Sequence, residues 1–174
     1  MVGHFTGVAD MSSLSSWTAS QFDPALNWGD VEWIKKRWGG KLILKGIQDV
    51  EDARLAVQSG ADALIVSNHG GRQLDGAQSS IEALPGIVDA VGQHIEVHMD
   101  GGIRSGQDVV KARALGAQGV YIGRSMLYGL GAMGEAGVTK ALEIIHKELD
   151  LTMAFCGRTQ MDTVDKSILL PGTY

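Results

Sequence analysis

The chain has 174 residues, with 15 basic and 20 acidic side chains and a net charge of −5. That length suits one domain with a sizeable core, and the acidic balance and 44% hydrophobic content exclude general disorder and a strongly basic nucleic-acid binder. The single Cys156 excludes an intrachain disulfide and a zinc site of several thiolates, while 24 glycines, roughly twice the usual share, point to tight turns and to backbone held close to a ligand.

Residues 1–10 lack a basic region followed by a long apolar stretch, so they do not read as a signal peptide. No window approaches the ~20 apolar residues of a spanning helix, so an intracellular protein is the expectation, with surface attachment to a membrane left open. Residues 11–20 are Ser-rich without a clear period and read as a loop. Asp30 is a plausible cap for a short helix carrying Val31, Ile34 and Trp38 on one face, stopped by Gly39-Gly40. Residues 1–40 thus form a lead-in of loop and short helix.

A regular pattern begins at Lys41. Residues 41–46 form a short apolar run. Asp49 caps a helix through Ser59, with Val50, Ala53, Ala56 and Val57 on one face and Gly60 at its end. Residues 63–67 read as a second strand, and residues 80–91 as a helix interrupted at Pro85-Gly86. Residues 95–100 make a third strand. Ser105 with Asp108 forms a capping box for a helix that Gly116 ends. Residues 119–123 make a fourth strand, and Val138, Ala141, Leu142, Ile145 and Leu149 a helical stripe. Residues 41–149 are therefore four βα units, and 150–174 a helical tail in which residues 151–156 form a short apolar helix that buries Cys156.

Continuously apolar strands alternating with helices imply right-handed βαβ units and a parallel sheet. A doubly wound sheet and part of a (β/α)₈ barrel both fit. No G-x-G-x-x-G follows the first strand, and polar residues gather at the carboxyl end of every strand, which is the barrel pattern. A full barrel needs roughly 250 residues, so this chain holds about half the units.

Three clusters carry chemistry. Ser67-Asn68-His69-Gly70-Gly71-Arg72-Gln73 follows the second strand, and Ser67 and His69 share a side if the extended path continues. His69 is a candidate base, because imidazole titrates near neutrality, and Arg72 a planar fork for a carboxylate. Asp100-Gly101-Gly102-Ile103-Arg104 lies between a strand and a capped helix, and Gly123-Arg124-Ser125 ends the fourth strand; together they suit a phosphate. Lys45, inside an apolar run, is a cation facing an anionic ring or substrate, or a lysine that reaches solvent. His4, His94, His98 and His146 have no metal-ligand spacing and no supporting carboxylate, and read as structural.

These residues resemble the FMN-dependent 2-hydroxy-acid dehydrogenases and oxidases, the family of L-lactate dehydrogenase, glycolate oxidase and mandelate dehydrogenase. Phe22-Asp23-Pro24, Trp28 and residues 134–138 extend the resemblance over nearly the whole chain, nearest the bacterial L-lactate dehydrogenase branch. The resemblance implies the last four βα units of a TIM (β/α)₈ barrel that binds FMN and oxidises a lactate-like L-2-hydroxy acid to the 2-oxo acid. It implies His69 as base, Arg72 on the substrate carboxylate, Lys45 beside the flavin where it stabilises negative charge, and Ser67 against the flavin. It implies Asp100, Gly101, Gly102, Ile103, Arg104, Gly123 and Arg124 around the ribityl phosphate. The family's first four units, with an aspartate that orients the histidine, have no counterpart in residues 1–40. The expected partners are a small 2-hydroxy acid, and a second copy or a complementary N-terminal half, with peripheral contact at the inner membrane. A non-catalytic phosphate-binding or flavin-binding half-barrel is the alternative. A flavin-dependent isomerase fits less well, because a base beside a carboxylate clamp suits a hydroxy acid.

Overall fold

The computed structural model describes residues 11–173. The readings of residues 1–10, including His4, lie outside them. Residues Met11–Ser20 are helical (α1), not a loop. Serine and threonine are only mediocre helix formers, but no glycine or proline interrupts these ten residues, and the break comes just beyond, at Asp23-Pro24. Helix α2 (Trp28–Trp38) is capped by Asn27, one turn earlier than Asp30: the Asn27 side chain accepts the Gly29 N–H at 2.9 Å. Asp30 is the returning partner of the capping box and accepts the Asn27 N–H at 2.9 Å. Gly39, at φ 70°, ends the helix.

Four strands follow, β1 (Ile43–Ile47), β2 (Ala63–Val66), β3 (Glu96–Asp100) and β4 (Gly119–Tyr121). They are parallel and lie side by side in chain order. Between them run α3 (Val50–Gln58), α4 (Ser80–Val91) and α5 (Gly106–Ala114). Alternation along the strands sends Leu64, Val66, Val97 and Met99 into the helix layer, where they are buried against Ala53 and Ala56 of α3, Leu84 and Ile87 of α4 and Ala112 of α5. Asp49 caps α3 through the Glu51 and Asp52 N–H groups, as its position before the apolar face indicates. Helix α4 runs unbroken through Pro85. A proline there removes one backbone bond, and the fully buried Leu84 and Ile87 on either side of it hold the turn in place.

Helix α6 (Arg124–Phe155) is two arms that fold back on each other at Met133 and Gly134, the latter at φ 60° and ψ −138°. The arms touch where Gly129 meets Gly137: a Cβ on Gly137 would lie 1.9 Å from the Gly129 carbonyl oxygen. The second arm crosses the start of α5, with Leu149 and Met153 against Val110 and Ala114. Of the expected stripe, Val138, Ala141, Ile145 and Leu149 are half-buried, whereas Leu142 is exposed, because this arm is covered on one narrow side only. Residues 151–155 are the end of α6 rather than a separate helix, and Cys156 behind them is half-buried rather than enclosed. Beyond it, the short turn at Met161–Thr163 is tied to α5 by the Arg113 Nε–H, which donates to the Met161 carbonyl at 2.9 Å, and the turn at Lys166–Ile168 packs Ile168 against the cluster of Val110 and Ala114. Among the described residues no helix is long and apolar enough to cross a membrane.

Candidate functional site

The carboxyl ends of the four strands open into one cleft of about 270 Å³. In β1 the pairing with β2 slips between Lys45 and Ile47, where Gly46 sits at φ 106°. Such a bulge needs a residue that tolerates positive φ, and it re-aims the neighbouring side chain. Lys45 lines the cleft: its ammonium donates to the Ser67 hydroxyl at 2.7 Å and pairs with the Asp100 carboxylate at 2.7 Å. A lysine inside an apolar run thus reaches the cleft at a strand end, with a carboxylate beside it.

After β2 the chain does not stay extended. The strand stops at Val66; the Ser67 hydroxyl accepts the His69 N–H at 3.1 Å and the Asn68 side chain accepts the Gly70 N–H at 3.0 Å. These two local bonds draw residues 69–71 into a tight turn, with His69 itself at φ 56°. The alternation that would set Ser67 and His69 on one side therefore ends at Ser67. Ser67 is buried beneath the cleft and reaches it through Lys45, while His69 and Arg72 are exposed at its rim. Neither the His69 imidazole nor the Arg72 guanidinium has a hydrogen-bond partner among the described residues. A non-glycine residue in the left-handed region is uncommon and marks a position set by its surroundings.

After β3, Asp100, Gly101, Gly102, Ile103 and Arg104 form the second wall. One Asp100 oxygen holds Lys45, and the other is buried without a partner among the described residues. The capping box at the start of α5 is formed: Ser105 donates to Asp108 at 2.9 Å, and Asp108 also accepts the Arg104 and Ser105 N–H groups at 3.0 Å each. Glu148, from α6, takes the Gly106 N–H at 3.0 Å. The positive end of α5 is thus occupied by the protein's own carboxylates. An anion at this wall meets only the glycine backbone before the helix and the Arg104 side chain.

The third wall is the start of α6. Gly123 precedes it with no side-chain cap, and a Cβ there would meet nothing within 4 Å. The first N–H groups of α6 and its dipole therefore point into the cleft. Arg124 leans across and donates to the Gly70 carbonyl at 3.4 Å, joining the first and third clusters. Lys45, Arg72, Arg104 and Arg124 line the cleft against the one carboxylate of Asp100. A cleft with that excess of cations, open glycine backbone and one uncapped helix start fits a phosphate-bearing group whose remaining polar atoms satisfy Asp100.

The structure gathers Lys45, His69, Arg72, Asp100, Gly101, Gly102, Ile103, Arg104, Gly123 and Arg124 around this cleft. Ser125, the last member of the third cluster, lines it as well, and so do three residues that sequence reasoning passed over: Tyr121, Ile122 and Leu127. Tyr121 was visible as the strand residue two before Gly123, on the face that alternation turns toward the site.

Parallel βα units with a cation-rich cleft at the carboxyl ends of the strands define an α/β protein with a site suited to a phosphate-bearing group. The sequence matches the FMN-dependent dehydrogenase family over residues 2–171, and the chain belongs to that family. It is 49% identical over 169 residues to an L-lactate dehydrogenase of Caulobacter sp. (strain K31), covering 97% of this chain and 44% of that protein. Its structure is similar to that of a mandelate oxidase, with a TM-score of 0.84 and 46% identity over 90% of this chain and 46% of the other. It is also similar to a monotopic membrane protein, (S)-mandelate dehydrogenase, with a TM-score of 0.86 and 38% identity over 94% of this chain and 43% of that one. The chain spans less than half the length of these relatives.

Proposed function

We propose that this chain is the FMN-binding and proton-transferring half of a (β/α)₈-barrel enzyme that oxidises an L-2-hydroxy acid, lactate-like in size, to the 2-oxo acid. One observation carries the reading: the strand ends bring His69, Arg72 and three further cations to a single cleft that begins at an uncapped helix. Residues 41–149 would supply the last four βα units, with 1–40 leading in and 150–174 as the tail.

In this reading Gly102, Ile103, Arg104, Gly123 and Arg124 hold the phosphate, and Asp100 and Gly101 take the chain that links it to the ring. Ser67 fixes Lys45, whose charge faces the ring. When bound, FMN supplies the two-electron acceptor that oxidation of a hydroxy acid requires. Arg72 pairs with the substrate carboxylate in a forked geometry and so orients the hydroxyl-bearing carbon. His69 takes up the proton that the substrate gives up, and its imidazole has both nitrogens unengaged to do so. Lys45 stabilises negative charge that develops beside it, at a site where, among the described residues, the lining carboxylate is the one it already holds.

The partner follows from the open edges of the sheet. Among the described residues, strands β1 and β4 each lack a neighbour on one side. Apolar residues stand exposed on these outer strands and on the helices next to them in sequence: Trp33 and Trp38 of α2, Ile43 of β1, and Leu127, Tyr128 and Met133 of α6. Open edges and apolar patches of this kind are covered in a stable protein. A complementary N-terminal half would close the barrel and bring the carboxylate that His69 lacks; a second copy of this chain is the other way to cover the edges. The location that fits is the cytoplasm, with peripheral contact at the inner membrane supported by the likeness to a monotopic membrane enzyme.

The test is titration with FMN, alone and with a complementary half, followed by reduction with L-lactate and (S)-mandelate. The expected result is saturable binding, with bleaching of the flavin only in the closed assembly. His69→Gln should lower that bleaching rate by about 10²- to 10⁴-fold while FMN stays bound. Bleaching that survives the substitution would leave a flavin-binding half without a base and favour the non-catalytic reading.

A further inference from the structure

From Tyr121 in the wall of the cleft, a polar chain that the proposed chemistry does not use runs back along the sheet toward the amino end of β3. His98 of β3 and Tyr121 of β4 lie side by side, His98 pairing in register with Gly119 and Asp100 with Tyr121. The His98 Nε2 is 3.2 Å from the Glu96 carboxylate, and its Nδ1 is 3.1 Å from the Tyr121 hydroxyl. The two rings are stacked, with centroids 5.8 Å apart and planes 24° from parallel. Glu96 and His98 are two residues apart on one strand, so they share a face, and the pair escapes any search for helical or metal-ligand spacing. The histidine therefore has the supporting carboxylate that the sequence reading denied it.

The chain has a direction. An ionised carboxylate only accepts, so Nε2 carries the hydrogen and donates to Glu96. In the neutral ring Nδ1 is then an acceptor, and the Tyr121 hydroxyl donates to it. The slot is built for this: a Cβ on Gly119 would stand 2.8 Å from the His98 Nδ1, so any larger residue there would push the imidazole off the strand. Tyr121 is 42% exposed, and it lines the same cleft as Lys45 and Asp100. An aromatic ring with one end tethered and the rest open to a ligand cleft is a wall of fixed orientation.

We propose that His98, set by Glu96, is a positioning residue that holds the Tyr121 ring as the aromatic wall against which the flavin ring of FMN rests. The proposal rests on the FMN reading of the cleft. Stacked or edge-on aromatic contact would add to flavin affinity and quench flavin emission, and an untethered ring would do both less well.

The experiment is titration of the 174-residue chain with FMN, recording affinity and the emission of the bound flavin. Tyr121→Leu should bring back much of the emission. His98→Ala and Tyr121→Phe should each raise the emission partway and weaken FMN about two- to tenfold, the range of one aromatic contact. His98→Gln should largely restore the original behaviour, because an amide offers one donor to Glu96 and one acceptor to Tyr121, which a space-filling role alone would not reward. Tyr121→Phe leaves the half-buried imidazole untouched and so stands in if His98→Ala fails to fold. Emission and affinity unchanged in Tyr121→Phe, or quenching intact in Tyr121→Leu, would overturn the proposal. If the unsubstituted chain takes up no FMN, the flavin reading fails and the wall with it. The tether is then judged by itself in the ligand-free chain from ¹⁵N resonances of His98: an Nε2–H tautomer upholds it, and an Nδ1–H tautomer removes it.

Discussion

Two helices begin at the mouth of the same cleft, and they begin in opposite ways. The first N–H groups at α5 are taken by Asp108 and Glu148, so its positive end is spent inside the protein. The start of α6 has only Gly123 before it and no capping side chain. Both starts carry the same dipole, so the dipole alone does not distinguish a binding site from a structural joint. What distinguishes them is whether the chain provides its own acceptor. At α5 Asp108 closes the helix's own cap and Glu148 ties α6 to it; at α6 no side chain fills the start, and in the proposed reading an anion from outside does.

The sharpest way to break this contrast is to give α6 the cap that α5 has. Gly123→Asp meets no steric obstacle, since nothing lies within 4 Å of a Cβ there. The carboxylate would occupy the helix start and face the phosphate with like charge. FMN affinity should fall about 100-fold, while the chain holds or gains thermal stability. Titration with FMN beside a melting curve checks it; undiminished affinity would remove α6 from the phosphate site.

The converse change attacks the joint at α5. A Cβ on Gly106 would stand 1.9 Å from the Leu149 backbone nitrogen and 2.6 Å from the Ile145 carbonyl oxygen, neither of which can rotate away. Gly106→Ala should destabilise the chain by about 2 kcal/mol, within the usual range for overpacking, because α6 must lift off α5. Urea unfolding reads this directly. FMN affinity of the folded fraction should stay within about twofold, because the Gly106 N–H donates to Glu148 and not to the cleft. A milder cut at the same joint is Ser105→Ala, which removes one half of the capping box and should cost about 1 kcal/mol in the same assay.

The contrast also shows where sequence reasoning reaches and where it stops. The box of Ser105 and Asp108 was legible, because both halves lie within one turn and local spacing encodes them. The strand-end clusters were legible for a similar reason: in a parallel sheet each strand is followed at once by its functional loop, so neighbours in sequence become neighbours around the cleft. Glu148 at the start of α5 was not legible, since it arrives from a different helix 42 residues away. The fold-back of α6 at Gly134 and the close approach of Gly129 to Gly137 are local, but they turn on backbone angles that the apolar period of a helix does not encode. At His69 the condition for Ser67 and His69 to share a side, an extended path, fails after Val66, where Ser67 and Asn68 impose a turn that side-chain alternation does not foretell. The helix at 11–20 escaped because it shows little amphipathic pattern to read.

The smallest expected effect lies at the opposite end of the sheet, where Asp62 repeats the α5 arrangement. Its carboxylate pairs with Lys35 and accepts the Leu42 N–H at 2.8 Å and the Lys41 ammonium at 3.0 Å, tying α2 and the start of β1 to β2. The hydrogen bond from Lys35, then those from Leu42 and Lys41, hold this carboxyl well below the ordinary aspartate range, and the bond to Asp62 in turn raises Lys41. A carboxyl that loses its proton more readily in the folded chain than in the unfolded one stabilises the fold above its ordinary pKa. That contribution fades as pH drops through the folded value. Asp62→Asn should therefore melt earlier than the unsubstituted chain at neutral pH, and the gap should narrow steadily as pH is lowered below the ordinary aspartate range. Salt should narrow the gap at neutral pH, since the pair with Lys41 is solvent-facing and screened. FMN affinity should not move at all, because every donor to Asp62 belongs to the protein and stands at the end of the sheet away from the cleft. A change in flavin binding on this substitution would mean that the two ends of the sheet are coupled, and that the separation drawn between structural and ligand-facing acceptors does not hold across the molecule.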